Sequence, residues 1–85
     1  MKTTHMTARV FVSIKTSVLD PQGQTIRASL QSMGHSMVQD VRAGKYFDVV
    51  LTATDREAAA KELDQISHDI LSNPVIEDYR VEILD

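Results

Sequence analysis

The hydrophobic period of this chain changes at one dipeptide, Asp20-Pro21, and that break limits the possible folds more than any other feature. Before it, RVFVSIK sets Val10, Val12 and Ile14 in alternation with Arg9, Ser13 and Lys15, the period of two of a strand with one buried face. After it, Asp20 is a side chain suited to accept hydrogen bonds from the free N–H groups of a helix start. Pro21 suits the first helical position, where its missing N–H costs nothing. A helix is therefore predicted from about Pro21. Its apolar residues Ile26, Leu30 and Met33 fall at spacings of four and three, a stripe expected to cover one sheet face, and Gly34 is placed to end it in left-handed geometry.

Strand character returns between Val38 and Ala53, with Phe47, Val49 and Leu51 on one side, and Ala43-Gly44 interrupts it. The interruption fits a hairpin turn between Val38–Arg42 and Lys45–Ala53, the preferred reading, or a glycine bulge in one bent strand. Thr54-Asp55-Arg56-Glu57 matches a capping box and opens a second helix, striped by Ala59, Leu63, Ile66 and Ile70 and stopped by Asn73-Pro74. The last strand is expected over Val75–Leu84, with Tyr79, Val81 and Ile83 opposite Asp78, Arg80, Glu82 and Leu84. The order is βαββαβ, or βαβαβ if the middle strand is continuous. Either predicts an α+β sandwich related to the ferredoxin-like topology, an antiparallel sheet with two helices on one face. The other face, with Arg9, Phe11, Ser13 and Lys15 beside Tyr46, Asp48, Val50 and Thr52, is left bare for a second subunit.

Composition sharpens that expectation. Eighty-five residues make one domain, and a chain of this size buries only about 60 to 65% of its unfolded surface. Without cysteine, no disulfide or thiolate metal site adds stability, so association is the remaining route. Nine basic and twelve acidic residues, net −3, lie scattered, which argues against nucleic acid as a partner. No apolar run is long enough to span a membrane and the start is polar, so the chain reads as cytoplasmic. Residues 1–6 carry no periodicity and are read as a disordered leader or a tag remnant, with residues 7–85 as the single domain.

Catalytic patterns are missing. His5, His35 and His68 have no metal-ligand spacing, and Ser13, Ser17 and Ser29 lack a nucleophile elbow. Gly23, Gly34 and Gly44 are isolated, and Glu77, Asp78, Glu82 and Asp85 read as solvated charges. No catalytic, metal or cofactor-binding residue is expected in this chain.

Three blocks nevertheless share a wording. RVFVSIKTSVLDPQG, VQDVRAGKYFDVVL and NPVIEDYRVEIL, in this order from about Ala8 to Leu84, resemble the PurS family, the small subunit of phosphoribosylformylglycinamidine (FGAM) synthase. The resemblance implies a part in the fourth step of purine biosynthesis, in which formylglycinamide ribonucleotide (FGAR), glutamine and ATP yield FGAM, glutamate, ADP and phosphate. It implies a non-catalytic assembly subunit that brings together a large synthetase subunit, which uses ATP and magnesium, and a glutaminase subunit, and that helps ammonia pass between them. It also implies a homodimer, with a tetramer as the next order. Carried to this chain, Lys15, Asp20, Pro21, Gln22, Gly23, Arg42, Gly44, Lys45 and Tyr46 are expected to face partner subunits. Phe11, Val50, Tyr79, Val81 and Ile83 are expected to serve self-association. Thr16-Ser17, where the family often has Pro-Gly, and His35, where it often has an aromatic, depart from the pattern. The alternative is a ligand-sensing module of the ACT type. An acylphosphatase-like enzyme lacks its anion loop here, and an RNA-binding sheet would need more than Phe11 and Tyr46.

Overall fold

The alternation around Val10 builds the centre of the sheet. In a computed structural model that describes residues 4–84, β1 (Thr4–Ile14) lies between β2 (Gly44–Ala53) and β3 (Glu77–Ile83) and is antiparallel to both. Val10 faces Phe47 on one side and Val81 on the other, and Phe11 lies between Tyr46 and Arg80. Parity then assigns the faces. Ala8, Val10 and Val12, none more than 2% exposed, form the core with Leu63, and Phe47, Val49, Leu51, Tyr79, Val81 and Ile83 are partly buried around them.

α1 (Pro21–Ser32) and α2 (Arg56–Ile66) start and stop for legible reasons. The Gly23 N–H donates to Asp20 Oδ1 at 3.0 Å, with Pro21 behind it at the start of the helix. At the far end Gly34 takes φ 97°, the His35 N–H reaches the Leu30 carbonyl at 2.9 Å and the Gly34 N–H that of Gln31 at 3.1 Å, a Schellman ending.

Six expectations are corrected. The hairpin does not form and the order is βαβαβ: residues 38–43 make no strand, because their backbone groups bond to α1 and to the turn before it. α1 does not cover the sheet. Gly23 is its only buried residue, while Ile26 is 39% and Met33 75% exposed, so α2 alone supplies the helical layer. β1 starts at Thr4, so Thr4 to Met6 of the expected leader are strand, paired with Leu51 to Ala53 at the end of the long β2; residues 1–3 lie outside the described residues.

α2 is capped by Asp55 and not by Thr54: Asp55 Oδ1 accepts from the Ala58 N–H at 2.8 Å, and a carboxylate is the better cap. Its stripe also ends early. One π-helical turn, Ser67–Leu71, adds a residue to the repeat, so Leu71 packs toward the core and Ile70 is thrown outward, 76% exposed. A turn bonded by the Ile76 and Glu77 N–H groups to the Asn73 carbonyl delays β3 to Glu77.

The outline is long. The Cα radius of gyration is 16.8 Å and the extents are 57 × 25 × 14 Å, whereas a compact chain of this length would have a radius of about 12 Å.

Candidate functional site

The first two sequence blocks meet at the base of α1. Asp20, 1% exposed, divides its carboxylate between them: Oδ1 takes the Gly23 N–H inside the first block, and Oδ2 takes the Ala43 N–H of the second at 2.6 Å. These two backbone donors hold the Asp20 carboxyl below the ordinary carboxylate range against the opposing effect of burial, with Arg42 helping. The Arg42 guanidinium closes the other side of the clasp. Its Nη2 donates to the Lys15 carbonyl at 2.6 Å and the Val18 carbonyl at 2.9 Å, and lies 3.5 Å from that of Ile14. Gly23 is required by the same closeness, since a Cβ there would overlap the Val41 carbonyl oxygen. Gly44 is required beside it, where a Cβ would come 2.8 Å from the Val12 carbonyl oxygen.

From this base the chain returning from α1 is fastened along the helix. Gln31 Nε2 donates to the Val38 carbonyl at 3.0 Å, Arg27 Nε to the Gln39 carbonyl at 2.8 Å, Gly23 abuts Val41, and Asp20 holds Ala43. Positions 20, 23, 27 and 31 fall on one helical face. α1 therefore spends its polar face on the segment that returns from it, and Leu19, Ile26 and Met33 stay exposed on another side. We call this unit, Leu19 to Ala43, the arm.

The residues expected to meet partners divide accordingly. Asp20, Pro21, Gly23, Arg42 and Gly44 build the clasp and its surroundings, whereas Lys15, Gln22 and Lys45 border it. Gln22, Gly44, Lys45 and Glu77 line a cleft of about 220 Å³ floored by Val12 and Ile14. Lys15 Nζ reaches Asp78 Oδ1 at 2.7 Å. Tyr46 belongs to the open sheet face, with Phe11 and Val50.

There the Phe11 and Tyr46 rings sit 6.1 Å apart, Arg80 lies 4.2 Å over Phe11, and Arg9 lies 4.5 Å over Tyr46. Asp48 accepts from Arg9 at 2.8 and 3.3 Å, which keeps the Asp48 carboxyl low and the Arg9 guanidinium high. Tyr79, Val81 and Ile83 lie on the opposite, helix-covered face, where the Tyr79 hydroxyl donates to Asp64 at 2.7 Å and its pKa is raised by that bond.

Sequence reasoning missed Arg27, Gln31 and Ala43. The signal available was the spacing of polar residues at 20, 23, 27 and 31, read only as the solvent side of an amphipathic helix. Among the described residues no three His, Cys, Asp or Glu side chains converge on a possible metal position.

An antiparallel sheet bare on one face, whose outer strands β2 and β3 pair among the described residues only with β1, and a helix carried clear of it, define a small α+β domain with surfaces free for association. The family model described as PurS, phosphoribosylformylglycinamidine (FGAM) synthase, matches residues 7–85, and the chain belongs to the PurS family. It is 44% identical over 75 residues to the PurS subunit of the Bacillus subtilis synthase, covering 88% of each, and 41% identical to that of Synechocystis, covering 88% of this chain and 75% of the relative. Among solved structures, Bacillus subtilis PurS superposes with a TM-score of 0.81 at 41% identity, over 94% of this chain and 99% of that one. A chain of the PurLQS structure from Thermotoga maritima does so with 0.87 at 28% identity, over 95% and 99%.

Proposed function

We propose that this chain is the assembly subunit of an FGAM synthase, joining the synthetase and glutaminase subunits for the ATP- and glutamine-dependent conversion of FGAR to FGAM. The observation that carries this reading is the likeness, along nearly its whole length, to a chain of the PurLQS structure. In this reading the chain works in the cytoplasm as a homodimer or tetramer and binds no cofactor, while ATP and magnesium serve the synthetase subunit. Lys15, Gln22 and Lys45, which border a clasp made by Asp20, Gly23 and Arg42, and Tyr46 on the open sheet face are the docking residues. The clasp supports the reading because it is a polar construction that fixes the place of surface residues and leaves the core untouched.

The test is glutamine-dependent FGAM formation by the purified synthetase and glutaminase subunits of the same source, with and without this chain. Strong stimulation is expected. Loss of stimulation in Lys15→Ala/Gln22→Ala, with fold and self-association intact, is expected if docking is at the border of the clasp. No stimulation by the native chain would overturn the assembly role and turn attention to a ligand-sensing module.

A further inference from the structure

The cleft at the base of α1 holds two opposite charges that do not quite meet. Among the described residues its charged lining is Lys45 on β2 and Glu77 on β3, one on each side of the central strand. Lys45 Nζ lies 4.0 Å from Glu77 Oε2, beyond hydrogen-bonding distance. Lys45 is opposite Val12 and Glu77 is opposite Ile14, so an apolar floor runs between the two charges.

The walls are preformed. Glu77 Oε1 accepts from the Asn73 N–H at 2.7 Å, and the Glu77 N–H returns to the Asn73 carbonyl at 2.7 Å. That reciprocal bond holds the Glu77 side chain, 16% exposed, with its second oxygen toward Lys45. Lys45 is steadied by the Phe47 ring, whose centroid is 5.6 Å from Nζ. On the rim, the Asp20 carboxylate binds Gly23 and Ala43 and so fixes the backbone on both sides of Gln22 and Gly44.

This charge pattern selects its ligand. A plain anion would gain Lys45 and be repelled by Glu77, and a plain cation would meet the reverse. A molecule with an ammonium and a carboxylate on one carbon suits both, since it replaces one long ion pair with two charge-assisted hydrogen bonds. The floor of Val12 and Ile14 takes its side chain, and the Gln22 carboxamide both donates and accepts at the rim. At about 220 Å³ the cleft is smaller than the roughly 300–1,000 Å³ of pockets for drug-sized ligands, a size that suits an amino acid and not a nucleotide.

We propose that this cleft is a binding site for a free α-amino acid, which sets its ammonium on Glu77 and its carboxylate on Lys45. The site goes beyond the assembly role and does not depend on it. Because Gln22 and Lys45 are also proposed for docking, an occupied cleft presents a changed surface to the larger subunits.

The test is an amide NMR titration of the isotope-labelled full chain. L-leucine and L-glutamine are the probes, and isocaproate and isoamylamine are the leucine analogues that lack the ammonium or the carboxylate. Saturable shifts centred on Ala43, Gly44, Lys45 and Glu77 are expected with at least one of the amino acids. Either analogue should bind about tenfold more weakly or worse, as should the amino acid to Lys45→Met or Glu77→Gln. Glu77→Gln keeps an oxygen for the Asn73 N–H, so circular dichroism should stay native. The analogues probe the same two charges in the unaltered chain, so the result stands even if a variant unfolds.

Absence of saturable shifts with both amino acids overturns the proposal. So do shifts centred elsewhere, an analogue that binds as well as leucine, or unchanged affinity in both folded variants. Stimulation of FGAM formation by the chain is measured separately, so the amino-acid site and the assembly role can each fail while the other stands.

Discussion

Asp20 shows how much one side chain of this fold carries. Its two oxygens bind N–H groups that are twenty residues apart in sequence, Gly23 and Ala43, so helix capping and the attachment of the arm are one interaction. Because its folded pKa lies below the unfolded value, the stability it provides is complete above about pH 4 and is lost as pH falls through the folded value. Thermal melts taken from neutral pH downward should show that acid loss, and Asp20→Asn should reduce it, leaving the part that comes from the Arg9–Asp48 pair, whose carboxyl is shifted in the same direction.

Gly23 gives a test of opposite sign to ordinary expectation. Alanine in place of a helical glycine commonly stabilises by about 0.5–1 kcal/mol. Here it would push against the Val41 carbonyl, so Gly23→Ala should destabilise by about 1–3 kcal/mol in urea titrations.

At the scale of elements, the single covering helix concentrates the core. Leu63 is fully buried between α2 and the sheet, and Leu63→Ala should cost about 2–5 kcal/mol in denaturant titrations. Ile70, on the same stripe in sequence, faces outward after the π-helical turn, so Ile70→Ala should stay within about 0.5 kcal/mol. The contrast between these two explains what was legible. Local chemistry could be read directly: the Asp20-Pro21 start, the Gly34 stop, and the alternation of Val10 and Val12 stand where the sequence places them. Periodicity alone carried the stripe one residue too far, since nothing in SHDIL announces an added residue in the turn. Residues 38–43 look like a strand because Val38 and Val41 have the right chemistry, and only the clasp, a contact across the arm, turns them to α1. The side chains proposed for docking carry the family's wording, whereas the clasp beside them was not legible, because the roles of Arg27, Gln31 and Ala43 exist only once the chain has turned back.

For the whole molecule, the extended outline is itself a measurable statement. Small-angle scattering extrapolated to dilutions at which the chain is monomeric should give a radius of gyration near the 16.8 Å of the Cα trace, well above the about 12 Å of a compact chain. A value near the compact figure would mean that the arm folds back on its own sheet. The paired and unpaired surfaces also set a division of labour: the core is made by strands and α2, while α1 contributes almost nothing to it, so the arm is open to change without loss of the fold.

The position of β1 at the centre of the sheet has a consequence for synthesis. Of the three described strands it is made first, yet one of its two neighbours, β3, is made after the other two, so during translation β1 can pair with β2 while its other edge stays bare until Glu77–Ile83 has been made. Such long-range closure slows folding relative to a chain with local pairings. The newborn chain therefore passes through a stage at which its most deeply buried strand offers an open edge, and crowded ribosomes making this subunit are where its mispairing should begin.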